Sequence, residues 1–200
     1  MLELEKSGRV CAIPHDPRIG VETWWDLGMR NATVVWFTQT TGREVRVIDH
    51  LRIVGGGLPE ASIELQRKPY RYIAHHAPHD IAVRELGTGK SRQETALALG
   101  IRFELVPDIG LEDGIQAARG FLATCWFDRE RTGQGRAALS AYHRQYDPKR
   151  RVFSSSPVHD WSSDDADAFR YLAVGHKFTE QIRRRVVASG GQTRGGWMSI

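Results

Sequence analysis

Three acidic residues, each in a distinctive local setting, carry the chemistry in this chain. Asp26 ends the apolar run Val21-Glu22-Thr23-Trp24-Trp25. Asp80 follows Tyr72-Ile73-Ala74-His75-His76-Ala77-Pro78-His79. Asp167 lies in Ser162-Ser163-Asp164-Asp165-Ala166-Asp167-Ala168-Phe169-Arg170-Tyr171. Two acids at strand ends and a third in the first turn of a helix can meet at one point. Carboxylates gathered in that way repel one another unless cations lie between them. Clusters of hard oxygen ligands suit Mg²⁺ or Mn²⁺. Two such ions can clamp the attacking and leaving oxygens of a phosphodiester. The residue types therefore point to a metal-dependent nuclease.

Each acid also has an ordinary explanation. An Asp can end a strand by bonding to a turn, can form a turn after proline, or can complement a helix dipole in the first turn. Asp164 and Asp165 compete with Asp167 for any metal role. His75, His76 and His79 suggest zinc at first sight, but strand alternation sends His75 and His76 to opposite faces and no Cys lies nearby. His79 and His159 remain candidates for positioning a phosphate or water near the acids. Lys90 and Arg92 sit where a loop runs into a helix, a suitable place to meet DNA phosphate. Trp24 and Trp25 fit packing better than base stacking, and Arg183 to Arg185 fit a solvated helix end. The run Gly87-Thr88-Gly89-Lys90-Ser91 resembles a phosphate loop only superficially. The Walker pattern needs Gly where Arg84 stands, and no strand leads directly into it.

The elements that would hold these residues can be read from periodicity. Residues 1–20 are polar, include Pro14 and Pro17, and read as a linker or lead-in. Residues 21–28, 32–38 and 44–53 predict an antiparallel meander, with a turn at Thr40-Thr41-Gly42-Arg43. After Gly55-Gly56-Gly57, residues 58–66 predict a helix with Pro59 in its first turn. Residues 71–76 predict a buried strand. Ser91 and Glu94 form a capping box that opens a helix over 91–99. A strand over 101–106 and helices over 111–126 and 137–146 follow. The last helix begins near Ser163, with Ala168, Leu172, Gly175, Thr179, Ile182 and Val186 on one face. This order predicts an α/β three-layer domain with a mixed sheet over residues 21–188, and a flexible Gly-rich tail over 189–200.

Composition sets the bounds. Two hundred residues suffice for one well-buried domain. A hydrophobic fraction of 40% and a mean hydropathy of −0.42 fit a soluble globular protein. The formal charge of +4 permits a polyanionic partner without requiring one. Five of the 28 basic residues are Lys. The rest are Arg, whose planar fork suits phosphate, although a GC-rich genome produces the same bias. Cys11 and Cys125 are isolated, which argues against a zinc site or a disulfide framework and fits a reducing cytoplasm. No run approaches the roughly 18 apolar residues of a membrane span, and no signal-peptide pattern opens the chain.

Together the order and the acids resemble the C-terminal nuclease domain of phage terminase large subunits, an RNase H-like fold. The stretches Trp25-Asp26-Leu27-Gly28 with Ala32-Thr33, Pro78-His79-Asp80-Ile81 followed by Gly89-Lys90-Ser91-Arg92, and His159-Asp160-Trp161-Ser162-Ser163 running into Ala166-Asp167-Ala168-Phe169-Arg170-Tyr171 carry the resemblance. It covers roughly Val21 to Gly175. It implies catalytic, metal-binding roles for Asp26, Asp80 and Asp167, with Asp164, Asp165 and Asn31 as further candidate ligands. Members often carry a further Asp shortly after the first; here that position is Asn31, which keeps a carbonyl but no charge. The resemblance implies two Mg²⁺ or Mn²⁺ ions and cleavage of double-stranded concatemeric viral DNA to 5′-phosphate and 3′-hydroxyl ends. It also implies an N-terminal ATPase domain in a longer protein, a small terminase subunit and a capsid portal as partners, and the cytoplasm of an infected or lysogenic bacterium as location. Two other readings share parts of this logic. One is another RNase H-like nuclease, a Holliday-junction resolvase or a ribonuclease H. The other is a catalytically silent DNA-binding packaging module.

Overall fold

Val21–Leu27 buries large side chains on both faces, Trp24 on one and Val21, Trp25 and Leu27 on the other, and such a strand has to be covered on both sides. In the computed structural model it becomes the centre of a three-layer domain. The structure describes residues 1–28, 32–85, 87 and 89–190. The chain opens with helix α1 (Leu2–Lys6), strand β1 (Val10–Cys11) and then β2 (Val21–Leu27), β3 (Ala32–Thr41) and β4 (Glu44–Val54). Helix α2 (Leu58–Arg67), strand β5 (Tyr72–Pro78) and a 3-10 helix (His79–Ala82) follow. Next come α3 (Arg92–Ala98), β6 (Phe103–Val106), α4 (Leu111–Leu122) and β7 (Cys125–Asp128). The last elements are α5 (Gly133–Ala141), the hairpin β8 (Arg144–Asp147) and β9 (Val152–Pro157), and the long helix α6 (Ser163–Gly190).

Seven strands form one mixed sheet in the order β1-β7-β4-β3-β2-β5-β6. Strand β3 is antiparallel to β2 and β4, and the other pairs are parallel. The predicted meander is therefore present, and β5 and β6 extend it on the far side of β2. Trp24 pairs with Trp36, and Asp26 with Val34. Alternation along β2 sends Trp24 and Trp25 into different cores. Trp24, Val34, Trp36 and Phe127 pack with Ala168, Phe169 and Leu172 of α6. Trp25, Val35 and Phe37 pack with Leu58, Ala61 and Leu65 of α2 and Ala96 of α3. Both tryptophans are wholly buried, as packing residues should be.

A bulge interrupts the β3–β4 ladder. Phe37 pairs with Asp49 and Thr38 with Val47, which leaves Ile48 without a partner. The extra residue shifts the alternation. Ile48 joins the α2-side core, and Asp49 next to it accepts hydrogen bonds from Lys68 and Tyr70. His50 and Arg52 are thereby turned toward α6.

The structure corrects several boundaries. The segment 1–20 is not simply a lead-in, because Leu4, Val10 and Ile13 are buried and β1 pairs in parallel with β7. Helix α4 stops at Leu122, and the expected helical residue Trp126 lies on β7. Cys125 and Phe127 alternate into the core there, and the strand's parallel pairing with β4 outweighs the helical spacing. The helix expected over 137–146 is shifted to Gly133–Ala141, ending where Tyr142 turns extended. Residues 144–147 instead pair with β9. The capping box of α3 forms as predicted: Glu94 N donates to Ser91 Oγ at 3.1 Å, and Ser91 N donates to the Glu94 carboxylate at 2.7 Å. Helix α6 runs to Gly190; Asn31, residues 191–200 and the side chains of Arg183, Arg184 and Arg185 lie outside the described part.

Candidate active site

Strands β2 and β5 are parallel neighbours, so their C-terminal ends finish on the same edge of the sheet. Asp26 is the penultimate residue of β2, and Asp80 lies in the 3-10 helix directly after β5. Asp26 shares the face of Trp24, which is the face covered by α6. The start of α6 is fixed by Asp160. Its carboxylate accepts from Ser162 N at 2.8 Å and from Ser162 Oγ at 2.6 Å, and its carbonyl accepts from Ser163 Oγ at 2.5 Å. The bonds from Ser162 hold the Asp160 carboxyl below the usual carboxylate range. The helix that follows places Asp164 and Asp167, three residues apart, on one side.

Asp167, Asp164 and Asp80 all lie within charge range of Asp26. Burial pushes the Asp26 carboxyl up to about 8, and the charges of Asp167, Asp164 and Asp80 push in the same direction, against Arg170. Burial also raises Asp167. Tyr171 is pushed up to about 12, by burial and by the charges of Asp26, Asp167 and Asp80. Asp26 is thus the crowded centre, with the other three acids around it.

Among the described residues, three of these four acids have an arginine partner. Arg92 Nη2 donates to Asp80 at 3.3 Å, Arg170 Nε donates to Asp167 at 3.2 Å, and Arg52 Nη2 donates to Asp164 at 3.3 Å. Arg170 also stacks over the Tyr171 ring at 4.7 Å. It lies across Gly114 of α4, where a Cβ would meet its side chain at under 3.0 Å.

Asp165 lies elsewhere. His50 Nε2 is 2.6 Å from one of its carboxylate oxygens, and Arg52 Nη1 pairs with the other. The His50 and Asp165 side chains are 2% and 1% exposed. Trp36 Nε1 donates to the Asp165 carbonyl at 3.0 Å, so β3, β4 and α6 are tied at one point. Sequence reasoning did not identify His50, Arg52 or Arg170. The i, i+2 spacing of His50 and Arg52 on one strand face was the available signal, but the bulge that turns this face toward α6 is not legible in advance.

The remaining candidates are spread around this edge. His159 is exposed, and its charge reaches Asp167 and Asp160. His79 lies 3.8 Å from Asp108. Lys90 is exposed on the loop between Arg84 and Ser91, which pair across an isolated bridge. Arg92 is turned inward, with Nη1 donating to the Leu27 carbonyl at 2.8 Å.

A divalent cation fits the donor set in kind. The carboxylates supply hard oxygens, and a buried carboxyl pressed by three others has the electrostatic character that a cation relieves. Among the described residues, no three His, Cys, Asp or Glu side chains are close enough together to hold one ion as they stand.

No family model and no curated protein matches the chain. Solved structures do. The large terminase nuclease domain of P22 superposes with a TM-score of 0.63 at 14% identity, over 86% of this chain and 89% of that one. The nuclease domain of the large terminase from bacteriophage SPP1, solved with bound Mn, gives 0.55 at 17% identity over 76% and 84%. The large terminase of a thermophilic bacteriophage, in complex with ADP, gives 0.60 at 14% identity over 84% of this chain, which spans 42% of that protein's length. At these identities the likeness is one of fold: the chain has the RNase H-like architecture of large-terminase nuclease domains, a mixed seven-stranded sheet flanked by helices.

Proposed function

We propose that the chain is a metal-dependent endodeoxyribonuclease that cuts double-stranded concatemeric viral DNA during genome packaging. The observation that carries this reading is the gathering of Asp80, Asp164 and Asp167 around Asp26, whose carboxyl is pushed up to about 8. Asp26, Asp80 and Asp167 would hold two Mg²⁺ or Mn²⁺ ions, with Asp164 as a further ligand. When bound, the ions supply Lewis-acid activation of water and stabilisation of the leaving 3′ oxygen. Asp26 would give up its carboxyl proton to solvent as the site fills. His159 lies on the Asp167 side, where it can orient a phosphate or the attacking water. Lys90, an exposed cation, would meet the DNA backbone. Asp165 is assigned to the fold through His50 and Arg52, and takes no part in metal binding. By the resemblance in its sequence the chain would belong to a longer protein with an ATPase domain, with a small terminase subunit and a portal as partners; the ADP-bound large terminase, of which this chain spans 42%, supports the ATPase domain alone. The same resemblance implies the cytoplasm of a phage-infected or lysogenic host as the setting. Among the described residues no helix is long and apolar enough to cross a membrane.

The test is incubation of supercoiled plasmid with this chain and Mn²⁺, with and without EDTA. Nicked or linear product that disappears with EDTA supports the reading. A four-way junction and an RNA–DNA hybrid run in parallel separate it from a resolvase and a ribonuclease H, since duplex DNA has to be the preferred substrate. The silent DNA-binding module is favoured by one observation: among the described residues, no three acids stand within chelating reach of one ion. Its signature is salt-dependent DNA binding with no metal-dependent product.

A further inference from the structure

Arg92 is the first residue of α3, and its position is set by the Ser91–Glu94 capping box. From there its guanidinium reaches two other elements. Nη1 donates to the Leu27 carbonyl at 2.8 Å, and Nη2 donates to the Asp80 carboxylate at 3.3 Å. Leu27 is the neighbour of Asp26 and the last residue of β2. The Arg92 side chain is 19% exposed, against 55% for the Asp80 side chain it holds. The elements on either side are anchored beneath it, because Ile81 of the 3-10 helix and Ala96 of α3 lie in the same core. A guanidinium is a rigid planar fork, so two bonds to two elements fix their separation in a way that one flexible ammonium cannot. A side chain occupied in this way is also poorly placed to bind phosphate.

We propose that Arg92 is a positioning residue for the metal site: it straps the Asp80 carboxylate to the end of β2, beside Asp26, and does not bind DNA phosphate. This inference rests on the nuclease reading. Without the strap, Asp80 hangs from a single short turn of 3-10 helix, and a cation has to order that turn as well as bind to it.

The experiment uses Mn²⁺ and the full chain without DNA. The Mn²⁺ concentration giving half of the maximal rise in Tm is measured for wild type, Arg92→Ala and Arg92→Lys. A second measurement follows binding to a short duplex in EDTA as salt is varied. Arg92→Ala is expected to raise the Mn²⁺ midpoint by about tenfold or more, leaving the slope of log K against log salt unchanged. Arg92→Lys keeps the charge but cannot span both partners, and is expected to fall between the two. Should the alanine variant not fold, the lysine variant decides, since a wild-type midpoint there overturns the proposal. A wild-type midpoint in Arg92→Ala also overturns it, as does a salt slope that shrinks by about 0.9, the value for one lost phosphate contact. If wild type itself shows no Mn²⁺-dependent rise, the metal site fails and the strap fails with it. That result is distinct from a responsive wild type with an unaltered Arg92→Ala.

Discussion

Asp165 is buried and Asp26 half-buried on the α6 side of the sheet, and of the two, among the described residues, Asp165 is the one whose charge is matched. His50 and Arg52 between them occupy both oxygens of Asp165. Asp26 has three acids pressing on it, with Arg170 as the opposing charge. The first arrangement stabilises one position of α6 against β3 and β4. The second holds a carboxyl in a state from which a cation can release it. Burial alone does not mark a functional acid; burial among like charges does.

The sharpest break of that comparison is catalytic. Asp26→Ala or Asp80→Ala should reduce plasmid cleavage by roughly 10³-fold or more with the circular dichroism spectrum unchanged, whereas an Asp165 substitution should act through the fold. Either acid variant cutting like wild type would remove the site assignment. Next in size is Asp165→Ala, which leaves the buried Arg52 and His50 without that partner. It should cost about 3–5 kcal/mol in urea unfolding, the usual penalty for breaking a buried ion pair. Asp26→Asn should do the opposite in EDTA, stabilising the domain by about 1–3 kcal/mol at pH 8, since one pKa unit is worth about 1.36 kcal/mol and the site is partly solvated. If both variants destabilised equally, the contrast between the two acids would collapse.

Titration sharpens the same contrast. The Asp26 carboxyl titrates at about 8 in the fold, above its ordinary 3.8. The native state therefore keeps a proton that the unfolded chain has already lost in that interval. In EDTA the contribution of Asp26 to stability is fully present below the lower value and is lost as pH rises toward the upper one. Mn²⁺ competes with that proton, so its midpoint should fall by up to about tenfold per pH unit between about pH 6 and 8 and level off above. A flat profile would mean that Asp26 does not meet the metal. The smallest effect is expected at Asn31, which lies outside the described residues. Asn31→Asp should lower the Mn²⁺ midpoint for cleavage a few-fold if that side chain faces the ions, and leave it unchanged if it does not.

Where sequence and structure agree, the reason is local. The meander, the α3 capping box and the two-sided burial of β2 follow from Val34 to Phe37, from Ser91 with Glu94, and from Trp24 beside Trp25. The placement of Asp26 and Asp80 at the ends of neighbouring strands was legible because each follows an apolar strand run. The elements that were missed depend on distant partners. Val10–Cys11 is too short to announce itself and becomes a strand by pairing with β7. Cys125–Asp128 continues helical spacing from α4 and turns extended beside β4. Separating Asp165 from Asp164 and Asp167 required only the helical period, which puts the pair three apart on one side and Asp165 about 100° from Asp164 and about 160° from Asp167. Identifying what meets Asp165 required the bulge at Ile48.

Gly175 gives α6 its seat. A Cβ there would meet the Trp24 ring at under 3.0 Å. That ring cannot yield, because Nε1 donates to Thr38 Oγ1 at 2.9 Å and its face stacks on His76 at 3.9 Å. Helix α6 therefore behaves as a rigid beam resting on an unyielding fulcrum, with Asp164 and Asp167 on its short arm some two to three turns away. A single methyl group at the fulcrum would tilt the beam and move both carboxylates relative to Asp26. The spacing of the acids is thus gauged by the thickness of the chain at a position that carries no functional group. In Gly175→Ala, a raised Mn²⁺ midpoint would report the tilt, and an unchanged one would show that the beam bends instead.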